Sequence, residues 1–359
     1  MDDFLIIGGG IAGISAGGRL SHLGKVRVLE AEDALAYHAS GRSAALYEAR
    51  YGLPTTVALN IASYDHHATA NGGVLSPRGL MLVAGPDDRA VFDHDRDTME
   101  LTEIDADAAL ALIPILDPDH ASGFAHATGA SDIDTDKLIQ DFAREIRGNG
   151  GTVETGRRID AITRDNGHWT VTAGDAAYHA RTLVNAAGAW ADQVAAMAGV
   201  APIGLTPLRR SVARMPAPGG HDVTGWPMIF GAGESWYAKP DAGAWIVSPA
   251  EEDPVDAAHD AWADDMVLAE GIARYQPFFT VEVTRVTSTW AGLRTFSPDR
   301  ALVLGPDPDH PDFIWVAGQG GYGFQTAPAA SQLVADLVAG RSPVLDATTT
   351  AALSPARFR

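Results

Sequence analysis

The chain has 359 residues, of which 46% are apolar and 20% charged, the balance of a globular protein long enough for two domains around a cleft. Its 46 acidic and 26 basic residues leave a formal net charge of -20, a surface that repels nucleic-acid phosphates and anionic membranes. There is no cysteine, which excludes disulfides, thiolate metal sites, cysteine nucleophiles and any cofactor tethered through sulfur.

The N-terminus, Met1-Asp2-Asp3, has no basic stretch ahead of an apolar one. No apolar run approaches the roughly 18 residues that span a bilayer, so a cytoplasmic protein without an integral membrane segment is expected. Phe4 to Ile7 reads as a short buried strand, and Ile11 to Leu23 has helical apolar spacing ended by Gly24. Val26 to Glu30 reads as a second strand, completing one right-handed βαβ unit. Further along, Ser211 to Met215, Ser235 to Lys239, Ala244 to Val247 and Val281 to Ser288 are predicted strands, with a helix over Ala261 to Tyr275. Phe313 to Ala317 is a last buried strand, entering a glycine turn and then a helix from about Ala327 to Val338.

This pattern predicts an α/β protein: an FAD- or NAD-type Rossmann-like domain, discontinuous, with a strand-rich α+β domain inserted in it. The expected division is 1–48, 130–200 and 296–359 for the dinucleotide domain, and 49–129 with 201–295 for the substrate domain.

The chemistry begins at Gly8-Gly9-Gly10-Ile11-Ala12-Gly13, between a strand and a helix. In such a turn the first glycine, Gly8, makes the bend and the second, Gly10, admits a pyrophosphate. The third, Gly13, lets helix and strand pack closely. The phosphates then rest on the helix N-terminus, whose free N–H groups and dipole favour an anion. Glu30 ends the second strand, roughly twenty residues on, where a carboxylate holds ribose hydroxyls. The fingerprint by itself does not separate FAD from NAD.

Three further segments do. Gly41-Arg42-Ser43-Ala44-Ala45, Leu183-Val184-Asn185-Ala186-Ala187-Gly188-Ala189-Trp190 and Gly318 to Thr326 together resemble the D-amino-acid oxidase-like family of flavoenzymes. The resemblance spans nearly the whole chain and implies a glutathione-reductase-type FAD domain with non-covalently bound FAD. It implies cofactor contacts from Gly8, Gly10, Ile11, Ala12, Gly13, Glu30, Ala31 and the loop Gly41, Arg42, Ser43, Ala44 and Ala45. Arg158, Ala187, Gly188, Trp190 and Gly292 would join them, as would Gly320, Tyr322, Gly323, Phe324, Gln325 and Thr326. The dipole of the last helix would face the flavin.

Within that family the chain most resembles the D-arginine dehydrogenase type. The similar segments are Tyr37-His38-x-x-Gly41-Arg42-Ser43-Ala44-Ala45, Asp132-Ile133-Asp134-Thr135-Asp136, Arg209-Arg210-Ser211, Tyr237-x-Lys239-Pro240-Asp241-Ala242-Gly243, Trp290-Ala291-Gly292-Leu293-Arg294 and Gln319-Gly320-Gly321-Tyr322-Gly323. By that likeness Arg210 and Arg294 hold a substrate carboxylate, since a guanidinium fork engages both oxygens. Arg209 is the alternative to Arg210. Tyr51, Tyr237 and Tyr322 line the pocket, and the Gly321 backbone accepts from the amino group.

Two positions depart from the type. Leu46 stands where it has a histidine, and Leu80 where it has the glutamate that pairs with a cationic side chain. A guanidinium against two leucines would lose both its partner and its water. A D-amino acid with a neutral or apolar side chain is therefore the expected substrate. Glu48 and Arg50 lie in the same loop and are the residues able to restore a charge.

His38 is the candidate for a covalent flavin link, although relatives with Tyr-His at this place bind flavin non-covalently. The histidines, His66-His67 among them, show no metal-ligand spacing, so no metal is expected. The same carboxylate clamp also suits a sarcosine- or glycine-type amine oxidase or a 2-hydroxy-acid dehydrogenase. A non-catalytic flavin-binding regulator is the remaining alternative, against which the paired arginines and tyrosines count. The resemblance favours a quinone or other carrier as electron acceptor, with Lys239 the candidate for promoting reaction with oxygen.

Overall fold

The computed structural model describes all 359 residues. Its first sheet carries five parallel strands in the order Thr152–Glu154, Val26–Leu29, Asp2–Ile7, Ala176–Asn185, Phe313–Ala317. The long Ala176–Asn185 strand first pairs antiparallel with His168–Ala173, which pairs in turn with Ala161–Asp165. Its second half then joins the parallel sheet, Asn185 opposite Ile7. Val303–Pro306 closes the far edge, antiparallel.

The period of two along Asp2–Ile7 divides its side chains between two cores. Phe4 and Ile6 pack with Ile14, Phe142, Ile146 and Val334 beneath the helices Ile11–Leu20, Thr135–Gly148 and Gly323–Val338. Leu5 and Ile7 pack on the other face with Trp169, Phe313 and Trp315. A strand buried on both faces reads as the near-continuous apolar run seen in the sequence. No helix is long and apolar enough to cross a membrane.

The second sheet has nine strands. Ser288–Phe296 runs antiparallel along the whole of Thr206–Met215, and beyond it follow Ala244–Ser248, Tyr237–Asp241, Met228–Gly231, Leu80–Ala84 and Gly123–Ala127. A small third sheet, Leu46–Tyr47, Ser131–Ile133 and Leu75–Pro77, sits between the two.

Two expectations change. The Pro54–Thr69 helix, placed by sequence with the substrate domain, shares the dinucleotide-side core through Leu59. Its Ser63 accepts from Ala329 N at 3.1 Å and donates to Thr326 O at 3.3 Å, tying it to the Gly323–Val338 helix. Val281 to Thr287 is not a strand. The Gln276 side chain takes the place of a strand partner, donating to Val281 O and accepting from Val283 N, and the strand starts only at Ser288.

Candidate active site

At the carboxyl ends of Asp2–Ile7 and Val26–Leu29 lies a cleft of about 300 Å³. Gly8 sits there at φ +111°, and a Cβ on it would fall 2.4 Å from Ala186 O. A Cβ on Gly13 would lie 1.9 Å from Gly8 O, so turn and helix touch through bare backbone. The N-cap of the Ile11–Leu20 helix, Gly10, has no side chain and the first turn holds no acidic residue, so the helix's positive end is open to the cleft beyond the Ile11 N–H. Glu30 is fixed at the strand end by N–H bonds from Gly9 at 2.6 Å and Glu32 at 2.9 Å.

The cleft is lined by Gly8, Gly10, Ile11, Ala12, Glu30, Ala31, Arg42, Arg158, Ala187, Gly188, Trp190 and Gly320. The sequence reading missed Ser40, which accepts from Ile11 N at 3.0 Å, and Glu32, which binds both His38 Nε2 (3.1 Å) and Arg158 Nη2 (3.0 Å). His38 stands in the cleft wall, its ring 4.7 Å from that of Trp190. Arg42 donates to Ala261 O, Ala291 O and Asp260, fastening its loop to the second sheet. Gly292 lies beside this loop, where a Cβ would be 3.5 Å from Ala39 Cα and 3.6 Å from Arg42 Cβ. The glycine cradle, helix end and strand-end carboxylate suit a dinucleotide of the FAD type.

A second cavity, about 80 Å³, adjoins the first. The two share walls at consecutive residues: Arg42 and Ser43, Leu293 and Arg294, Gly320 and Gly321, the first of each pair lining the cleft and the second the cavity. A group bound in one therefore abuts a group bound in the other. The strand register explains how two distant arginines meet here. Arg210 is opposite Gly292 and Leu208 opposite Arg294, so the two guanidiniums leave the same face on a diagonal. Arg209 leaves the other face and pairs with Asp253 at 2.9 Å.

Arg294 makes no hydrogen bond or ion pair with the protein and packs over Gly321, where a Cβ would be 2.8 Å from Nη1. Burial pulls its pKa down, but Tyr237, Tyr51 and Glu234 around it more than offset this and hold it above its ordinary value. Arg210 is 5% exposed, and burial together with the charge of Arg294 lowers its pKa. Its Nη2 donates to Glu252 Oε1 at 3.2 Å.

Tyr51 and Tyr237 line the cavity, and the Tyr322 ring packs at a tilt against Tyr51, 5.3 Å away, from outside it. Burial, with Glu234 nearby, pushes the Tyr51 pKa far up, so it remains a neutral phenol rather than a base. The rest of the wall is largely apolar: Leu46, Leu80, Met99, Met228, Phe230 and Trp236.

Glu48 faces the cavity from the same strand side as Leu46, and burial raises its pKa. Arg50 turns away to Glu100 at 3.2 Å. Ser43, Ala44, Ala45, Phe324 and Gln325, expected against the cofactor, line this second cavity. Gln325 holds the Glu48 backbone N–H at 3.2 Å, and Thr326 caps its own helix turn through Tyr322 O. Gly41 lies against Ala36 O, and Gly323 against Ile11. Glu234, at the mouth, was not foreseen. It follows a glycine in a short turn with no periodic signal around it.

The fold and the glycine-lined cleft define an FAD-dependent oxidoreductase. The chain belongs to the FAD dependent oxidoreductase family that includes the D-amino-acid oxidases, matched over residues 3–337. It is similar to the glycine oxidase of Pseudomonas putida, 24% identical over 95% of this chain and 96% of that one. N-methyl-L-tryptophan oxidase of Citrobacter koseri is 25% identical over 96% and 97%. The hydrogen cyanide synthase subunit HcnC of Pseudomonas aeruginosa is 29% identical, but over 55% of this chain and only 44% of its own length. Among solved structures, L-proline dehydrogenase from P. horikoshii superposes with a TM-score of 0.84 over 99% and 97% of the two chains at 19% identity.

Proposed function

We propose that the protein oxidatively deaminates a D-amino acid with a neutral or apolar side chain. The observation that carries this reading is Arg294, an unpaired guanidinium facing a cavity whose remaining wall is mostly apolar. A buried cation without a partner is costly unless a ligand supplies the anion. An α-carboxylate does so, with Arg210 alongside. The Gly321 backbone then stands next to the carboxylate and receives the amino group.

FAD bound in the cleft supplies the hydride acceptor. The substrate Cα–H bond gives up its hydride and the nitrogen a proton, leaving an imino acid that water converts to a 2-oxo acid and ammonia. The residues contribute orientation: Arg294 fixes one end of the substrate, Tyr51 and Tyr237 its flanks, and Leu46 with Leu80 its side chain. Tyr51, held neutral by burial and donating to Glu234, does not take the proton.

A second reading, oxidation of glycine or an N-methyl amino acid, draws on the glycine oxidase and N-methyl-L-tryptophan oxidase likenesses. Both substrates present the same carboxylate. For the electron acceptor, a quinone or other carrier is favoured. The Lys239 ammonium is already engaged by Asp132 at 2.6 Å and Ala44 O at 2.5 Å, and lines neither cavity. The test is anaerobic mixing with D-amino acids, glycine, sarcosine and 2-hydroxy acids, then admission of air. Flavin bleaching by D-leucine with slow reoxidation is expected. Bleaching by sarcosine or glycine alone would replace the D-amino acid reading with the second one.

A further inference from the structure

The two arginines of the cavity are not equivalent. Arg294 is unpaired, whereas Arg210 gives Nη2 to Glu252 Oε1 at 3.2 Å. Glu252 is itself held from behind, both its oxygens accepting from Arg300 Nη2 at 2.9 and 2.8 Å. Arg300 in turn lies 3.8 Å over the Phe296 ring, which packs into the space that a Cβ on Gly320 would occupy. The carboxylate of Glu252 is thus placed by its surroundings, outside the cavity, and does not compete with a ligand.

The geometry points to Glu252 as a specificity-determining residue: by pairing Arg210 it leaves one free guanidinium for one substrate carboxylate and turns away dicarboxylates. This rests on the reading of the cavity as a carboxylate site.

Other acidic groups near Arg210 do not take over this role. Glu251 points its Oε1 at the Ser211 N–H, at 2.5 Å. Glu234 is exposed, accepts from Tyr51 and makes no ion pair with Arg210. Within the cavity the first carboxylate neutralises Arg294. A second would meet Arg210 with its Nη2 already given to Glu252, and would lose its water for a guanidinium whose charge is partly offset.

Isothermal titration of the FAD holoenzyme with propionate and malonate tests this, since the pair differ mainly by one carboxylate in place of a methyl. Wild type is expected to prefer propionate. Glu252→Gln keeps an acceptor for Arg300 but removes the charge. It should improve the malonate-to-propionate affinity ratio by at least about tenfold.

Should Glu252→Gln fail to fold, Arg210→Gln gives an independent reading. Because Arg210 already gives Nη2 to Glu252 and Arg294 is unpaired, propionate binding should weaken far less than in Arg294→Met. Two results would overturn the inference while leaving the carboxylate site intact. One is an unchanged ratio in Glu252→Gln, with propionate binding still dependent on Arg294. The other is a loss in Arg210→Gln equal to that in Arg294→Met. If propionate binds Arg294→Met as it binds wild type, both the cavity reading and this inference fall.

Discussion

Tyr51 donates its phenolic hydrogen to Glu234 Oε2 at 2.9 Å, joining the loop after the Leu46–Tyr47 strand to a turn of the second sheet across the cavity mouth. Burial first, and Glu234 second, raise the phenol pKa well above its ordinary value. The folded protein therefore keeps Tyr51 protonated throughout the neutral range. We expect Tyr51→Phe to raise the substrate KM while leaving the shape of the pH–rate profile for flavin reduction unchanged. Loss of a basic-side inflection in this variant would show that Tyr51 titrates as the base after all.

Arg294→Met should retain FAD but lose saturable reduction by substrate. FAD retention follows because the side chain faces the second cavity, not the cleft. The loss follows because a charge-assisted carboxylate contact shielded from water is worth several kcal/mol, roughly a hundredfold or more in efficiency. Absorbance of the purified variant and stopped-flow reduction measure the two parts separately. Wild-type kinetics would remove Arg294 from the site.

Much of the cofactor cleft was legible because its signals are local. Gly8, Gly10, Gly13 and Glu30 sit within one strand–helix–strand unit, where spacing implies geometry. Arg294 and Arg210 were found through short motifs, but what separates their roles was not legible. Arg210 owes its paired state to Glu252, in the connection after Ala244–Ser248, and Glu252 owes its position to Arg300 beyond the next long strand. No periodicity marks such long-range ion pairs. The choice of Arg210 over Arg209 depended on strand register, which sequence leaves open by one residue, and one residue is enough to reverse the face. Val281 to Thr287 misled because β-branched alternation is the same whether a strand or the Gln276 side chain satisfies the backbone.

The flavin is expected to be released by acid precipitation, with one FAD per chain in the supernatant. His38 lines the cleft but is held by Glu32 at 3.1 Å and lies against Trp190. Colour remaining in the pellet would mean a covalent link, and its absence in His38→Asn would identify the residue.

Acid should destabilise the fold partly through His66. Its Nδ1 accepts from Arg19 Nη2 at 2.9 Å and its ring stacks on Phe142 at 5.3 Å. Burial first, then the Arg19 charge, lower its pKa from 6.5 to about 4. The unfolded chain therefore binds the proton more readily. The stabilisation from neutral His66 is fully present above about 6.5 and is lost as pH falls toward about 4. His66→Gln keeps an acceptor for Arg19 without titrating. The fall in Tm between about pH 7 and about pH 5 should be smaller in this variant than in wild type. An identical fall would assign the acid sensitivity to other groups.

Side-chain specificity is the sharpest prediction. Leu46 and Leu80 line the cavity together with Met99, Met228 and Phe230, and Leu80 is only 3% exposed. An apolar side chain gains roughly 0.8 kcal/mol per buried methylene there, while an unpaired buried charge costs several times that. D-Leucine and D-methionine should therefore exceed D-arginine in kcat/KM by at least about tenfold, or roughly 1.4 kcal/mol. The carboxyl that could oppose this is Glu48, which faces the same cavity, but its Oε1 is already held by the Arg50 N–H at 3.2 Å. Leu80→Glu should narrow the gap by supplying an anion on the strand opposite, and Glu48→Gln should leave the wild-type preference in place. Both are read from kcat/KM for the two amino acids in parallel. A wild-type preference for D-arginine that Glu48→Gln abolishes would show that the anion had moved to residue 48, and the pocket would then be one for cationic side chains.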